Sequence, residues 1–272
     1  MENQLKNIVL EAWNNREKLL QEDTKIAIRK CIEMLDNGDL RVAEYTNDQW
    51  LVNEWLKMAV ILYFPIQNME VIEHGYFQYY DKIPIKKNFK ELNVRVVPQA
   101  IARYGSFISK GVVLMPSYIN IGSYIGSNTM VDTWATIGSC AQIGANVHIS
   151  GGVGIGGVLE PIQAMPVIIE DGCFLGSRSI VVEGVIVKKE AVLGANVVLT
   201  QSTKIIDVTS DTPIEYKGYI PERSVVIPGS YPKQFNAGTY NVNCALIIGK
   251  RKQSTDIKTS LNEALRDYSI SV

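Results

Sequence analysis

The chain has 272 residues, 46% hydrophobic and 20% charged, with 27 basic against 28 acidic side chains and a net charge of −1. That composition describes an ordinary globular chain and excludes a global basic field able to recruit nucleic acid. Cys31, Cys140, Cys173 and Cys244 show neither CxxC spacing nor clustering, which points to small core residues in a reducing compartment, with no disulfide frame or metal site. The opening segment MENQLKNIVLEAW has no apolar signal core, and no stretch is long enough to span a bilayer, so a cytoplasmic location is expected.

In chain order, residues 1–100 read as a helical domain. Leu5, Ile8, Val9 and Trp13 share one helical face, and Ile26, Ile28, Cys31, Ile32 and Leu35 give a second. Asn37-Gly38 stops the second helix. Asn53 to Leu62 predicts a third, ended by Pro65. Tyr76–Tyr80 and Val94–Val97 are strand-like.

From about Ile101 an aliphatic residue recurs every six positions. Val113, Ile119, Ile125, Val131, Ile137, Ile143, Ile149 and Ile155 form one run, and Ile169 through Ile205 a second. With Ile101 and Phe107 as leaders the series has seventeen hexads. A mostly small residue falls four places after each leader, from Ser117 to Val153, then at the larger Leu159. Neither the 3.6-residue helix period nor the two-residue strand period explains a strict six. Stacked repeats that bury their apolar faces on one another do, and hexads belong to β-helices, three to each triangular turn. The beat breaks once: Ile155 to Ile169 is fourteen residues, two more than two hexads, and Gly156 to Pro166 is read as an extruded loop. Beyond Ile205 the pattern dissolves into a polar loop over Asp207–Gly218. A last strand and turn at Ser224–Gly229, a strand over Tyr240–Ile248 and a helix over Leu261–Tyr268 are expected. The expected domains are 1–100, helical; 101–232, β-helix; and 233–272, a strand and helix cap.

Gly152-Val153-Gly154-Ile155-Gly156-Gly157 matches GxGxxG. A dinucleotide site needs a helix directly after it, and the six-residue beat leaves no room for one. Close backbone approach at the corners is the better account of the glycines. Asp132 occupies the slot after a leader that neighbouring hexads fill with Gly126, Gly138 and Gly144. It is either a corner cap bonding its own backbone or a functional carboxylate, with Trp134 placed to wall a pocket and desolvate it. His148 is a base of suitable type or a surface or intersubunit residue. Arg95, Arg103 and Arg178 are candidate carboxylate binders. Lys204, Lys217, Lys233, Lys250 and Arg251 either meet phosphates or keep the C-terminal end soluble.

Leu114-Met115-Pro116-Ser117-Tyr118, Met130-Val131-Asp132-Thr133-Trp134 through Gly144, and His148 through Pro161 closely resemble the tetrahydrodipicolinate N-succinyltransferases. Leu40–Glu44 and Arg95–Pro98 extend the likeness upstream. The resemblance implies a mainly β chain, a left-handed parallel β-helix with an α-helical N-terminal domain and a short C-terminal capping segment, assembled as a homotrimer with sites between subunits. It implies succinyl transfer from succinyl-CoA to the amine of ring-opened tetrahydrodipicolinate, in the diaminopimelate and lysine route. The partners are small molecules, with no tightly bound cofactor, metal, nucleic acid or membrane. Arg95 is then expected to hold an acceptor carboxylate, and Asp132 to hold the amine and help remove its proton. Trp134, Met130, Arg178 and Glu160 would complete the acceptor site. Gly157, Ser139, Lys204 and Lys217 would line the coenzyme A groove. Some relatives carry a second carboxylate directly after Gly-x-Arg-Ser, where this chain has Ile180, with Glu183 and Glu160 the nearest substitutes. The resemblance moves His148 away from the role of base. The rival functions are acetyl transfer to the same acceptor and a non-catalytic β-helix scaffold.

Overall fold

The computed structural model describes residues 1–251. Three helices, α1 (Glu2–Asn14), α2 (Glu22–Asn37) and α3 (Glu54–Tyr63), pack together. Leu5, Val9 and Ala12 of α1 and Ala27, Ile28, Cys31, Ile32 and Leu35 of α2 are buried in their common core. Ile26, expected on the inner face of α2, is 55% exposed. The 3.6-residue period aligns Thr24, Ala27, Ile28 and Cys31 and turns position 26 outward. Gly38 closes α2 in the left-handed conformation at φ 81°, and its amide donates to Leu35 O and Met34 O. A Cβ there would also come within 2.6 Å of the Phe107 ring, so this glycine seats the helix end on the following domain. Every residue of α3 from Trp55 to Val60 is buried, as befits a helix enclosed on all sides.

The remainder is a three-sided parallel β-helix. The first face carries Arg95–Val96, Val113–Leu114, Met130–Val131, His148–Ile149, Phe174–Leu175 and Val192–Leu193, then the start of Ser224–Phe235. The second carries Ile101–Ala102, Tyr118–Ile119, Thr136–Ile137, Gly154–Ile155, Ile180–Val181 and Val198–Leu199; the third runs from Phe107–Ile108 to Tyr219–Ile220. Each strand has one residue inside and one outside, and the inner column is a continuous aliphatic core from Ala102 to Ile247. The helices lie against the third face and the edge between the second and third, where Ile121 and Cys140 join their core. On the third face Arg41 stacks on Tyr124 at 3.8 Å, and its Nε donates to the buried Gln142 at 2.7 Å.

The phase of the first hexads differs from the expected one. Ala102, Ile108 and Leu114 point inward; Ile101, Phe107 and Val113 take the outer position and are only half-buried. Ile101 pairs with Tyr118, seventeen residues on, whereas Arg95 pairs with Val113 at the full eighteen. One residue is missing between Leu114 and Ile119, and a one-residue slip exchanges inside for outside. Because Arg95–Val96 already pairs with the coil, the β-helix begins before residue 100.

The interruption is also simpler than expected. Gln142 pairs with Ile168, twenty-six residues on, so one corner carries an eight-residue insertion and no additional hexad. Val158, not Leu159, enters the prism core, while Leu159 and Ile162 pack into the helical cluster. At the far end Ile205–Asp207 pairs with Ile214–Tyr216 inside the expected loop, and with Ala245–Ile247. Strand Ser224–Phe235 runs unbroken across residue 232 and forms a long hairpin with Gly238–Lys250. The helix expected over Leu261–Tyr268 lies outside the described residues.

Candidate active site

The edge between the first and second faces carries Asp132, Trp134 and Arg178. Three successive coils each place a left-handed residue there: Trp134 at φ 60°, Gly152 at 69° and Arg178 at 59°. Their amides tie each coil to the one before, Trp134 N to Pro116 O at 2.6 Å, Gly152 N to Thr133 O at 2.9 Å and Arg178 N to Gly151 O at 3.1 Å. A Cβ on Gly152 would stand 3.2 Å from Arg178 Cγ. The arginine stem therefore lies over the glycine, and Trp134 and Arg178 bracket a notch. Trp134 is 68% exposed, so within one protomer it does not desolvate Asp132 as its sequence position suggests.

Asp132 sits at the start of the same corner, its amide donating to Ile149 O at 2.9 Å. Its Oδ1 accepts Thr133 N at 2.6 Å and Thr133 Oγ1 at 3.2 Å. The corner-cap role is therefore real, and it uses one oxygen only. Among the described residues Oδ2 has no donor, so a half-buried carboxylate fixed through Oδ1 keeps its second oxygen free.

On the first face beside it the outer column runs Arg95, Val113, Met130, His148, Phe174. His148 stacks on Phe174 with centroids 4.6 Å apart. Burial pushes its pKa below the ordinary value, and the Asp132 charge opposes that shift. Arg95 is exposed and stands two strands from Met130, roughly 10 Å away.

Ser139, Gly157, Glu160, Lys204 and Lys217 fall elsewhere, along or beside the edge between the second and third faces. Gly138 and Gly157 are so close that a Cβ on the former would strike Gly157 N, and one on Gly157 would strike Ser139 N. Glu160 is exposed on the inserted loop. Glu183, at the same edge, accepts the Gln201 amide at 3.0 Å and is a coil cap. Lys204 pairs with Glu215 at 3.0 Å, and Lys217 is exposed. Within one protomer neither Glu160 nor Glu183 reaches the Asp132 corner. Ile180 lies on the second face, its Cδ1 filling the space over Gly154. The Gly152 notch was open to sequence reasoning only through register: eighteen residues separate it from Trp134 and twenty-six from Arg178, so the insertion must be counted first. Lys57, fully buried on α3, carries no such signal.

The N-terminal model of tetrahydrodipicolinate N-succinyltransferase matches residues 4–66. The hexapeptide repeat of succinyl-transferase matches residues 166–201, and the bacterial transferase hexapeptide residues 122–157. The chain is 51% identical to the 2,3,4,5-tetrahydropyridine-2,6-dicarboxylate N-succinyltransferase of Acinetobacter baylyi, over 97% of this chain and 98% of that one. It is 52% identical to the enzyme of the same name from Paraburkholderia phytofirmans, over 98% and 99%. A solved Campylobacter jejuni structure, described as a candidate 2,3,4,5-tetrahydropyridine-2-carboxylate N-succinyltransferase, has a TM-score of 0.51 at 18% identity and covers 81% of this chain and 62% of its own; it supports the fold alone. With the family's N-terminal region on the three helices, its hexapeptides on the coil and half of all residues identical from end to end, the chain belongs to the tetrahydrodipicolinate N-succinyltransferase family.

Proposed function

We infer that the protein transfers a succinyl group from succinyl-CoA to the amine of ring-opened tetrahydrodipicolinate, giving N-succinyl-2-amino-6-oxopimelate and coenzyme A, a step of lysine and diaminopimelate biosynthesis. The half-identity to curated succinyltransferases over nearly the whole of both chains carries this conclusion. The amine attacks the thioester only after losing a proton. Asp132 Oδ2 is the oriented acceptor for that amine, and Arg95 holds a carboxylate of the same molecule, with Met130, Trp134 and Arg178 around it. The new C–N bond forms as the C–S bond breaks, and the departing thiolate takes up a proton. Backbone N–H groups at the glycine-rich corner offer donors to the developing oxyanion. No covalent enzyme intermediate is required: Cys140 and Cys173 are fully buried, with thiol pKa values pushed up by desolvation.

The acceptor set lies on one edge of the prism and the expected donor set, Ser139, Gly157, Lys204 and Lys217, on another. Two edges of one prism cannot face each other. A closed ring in which the first edge of one protomer meets the second edge of its neighbour brings them together, in keeping with the homotrimer that the family resemblance implies. Glu160 then reaches the acceptor only from the neighbouring subunit. Sedimentation of the purified protein as a monomer at assay concentration would contradict this arrangement.

Initial rates with succinyl-CoA and acetyl-CoA at equal concentration test the donor. Succinyl-CoA is expected to be preferred at least about tenfold, and a preference for acetyl-CoA would overturn the assignment. His148 packs on Phe174 instead of carrying the proton, so His148→Gln is expected to keep kcat within about twofold. A larger loss in a variant of unchanged Tm would make the imidazole the base.

A further inference from the structure

Lys57 is fully buried in the middle of α3. Its Nζ donates to Pro161 O at 3.2 Å and to Ala164 O at 2.9 Å, and among the described residues it has no ion-pair partner. Burial draws its pKa down, with Cys140 and Glu54 opposing. An ammonium taken out of water and given two neutral acceptors recovers little of its desolvation cost by Coulomb attraction. Both acceptors lie in the eight-residue insertion, and both belong to one turn, closed by Ala164 N donating to Pro161 O at 3.1 Å. Leu159 and Ile162 anchor the same loop in the helical core, and Val158 N donates to Ser139 O at 3.2 Å. The helical domain thus holds the loop by two apolar side chains and one cation.

We propose that Lys57 is a positioning residue that clamps the Pro161–Ala164 turn onto α3 and so sets the course of the loop that presents Gly157 and Glu160 at the donor edge. This rests on the inference that coenzyme A lies along that edge. A lysine suits the task because its three donors on a flexible stem reach two carbonyls that no backbone amide of α3 can reach. Apolar packing alone leaves the turn free to slide.

The test uses the full-length protein with Lys57→Met, close in volume but without donors, and Lys57→Gln as a second variant. Hydrogen exchange of loop peptides is read by mass spectrometry with and without coenzyme A, alongside separate KM values for both substrates. In the wild type, coenzyme A is expected to protect amides at the start of the loop. In the variants, loop exchange is expected to rise and KM for succinyl-CoA to increase on the order of tenfold, with a smaller rise in acceptor KM through Glu160 and exchange in α2 unchanged. Protection in the wild type with unaltered loop exchange or unaltered succinyl-CoA KM in a folded variant overturns the positioning role alone. No protection in the wild type removes the donor-edge assignment and this proposal with it. Loss of folding in both variants assigns Lys57 to the core and overturns the proposal as well.

Discussion

Asp132→Asn is expected to lower kcat by on the order of 10²-fold or more, with succinyl-CoA KM changed by less than about threefold. Asparagine keeps the size of the side chain, and its carbonyl oxygen still accepts Thr133 N and Thr133 Oγ1, so the corner made by Asp132, Thr133 and Trp134 survives. What is lost is the negatively charged Oδ2, which has no donor among the described residues. A neutral amide there can bind an amine but cannot stabilise its positive charge or take its proton. With Ile180 on the outer second face and Glu183 engaged with Gln201, no other carboxylate of the same protomer stands at this corner to take over. Steady-state kinetics with each substrate varied in turn separates the two parameters. Unchanged turnover would remove Asp132 from the chemistry and leave it as a coil cap. A loss confined to acceptor KM would make it a binding group only.

How the sequence yields this site depends on which physical constraint marks each residue. Asp132 was legible because a strict repeat makes an exception visible: glycine follows the leader in neighbouring hexads, and a carboxylate there needs a reason. The inner aliphatic column was legible for the same cause from Ile119 to Ile205, where the inner residues keep the six-residue beat on either side of the insertion. It was misphased before that point, since a five-residue step at Pro116 preserves the apolar look of Ile101, Phe107 and Val113 while turning them outward. The notch between Trp134 and Arg178 was hidden by the insertion, which breaks the sum that aligns Gly152 with Arg178. Lys57 was invisible in principle: a lysine amid apolar residues of a short helix gives no local sign of carbonyls more than a hundred residues away. The split of the expected acceptor and donor residues between two edges was equally silent, because the repeat tells how coils stack and says nothing of how chains meet.

Arg95→Ala is expected to raise the acceptor KM on the order of 10²-fold, leaving succinyl-CoA KM unchanged and kcat reduced by much less. The strand Arg95–Val96 is the first of the first face, and Arg95 N donates to Val112 O at 3.0 Å, so the backbone fixes where the side chain starts. Alanine preserves that pairing. Among the described residues the guanidinium has no carboxylate partner, which leaves its full fork available to a substrate carboxylate. Met130 is two strands further along the same column and Asp132 lies two residues beyond it at the corner, so the backbones that carry the cation and the anion stand roughly 12 Å apart. An acceptor with a carboxylate at one end and an amine towards the other spans that gap in a single orientation, and the pair then fixes which amine meets the thioester. Arg95→Lys keeps the charge but not the bidentate geometry, and it is expected to recover only part of the loss. Acceptor KM unaltered in Arg95→Ala would transfer carboxylate recognition to Arg178, the exposed guanidinium at the Asp132 edge, and Arg178→Ala would then show the loss instead.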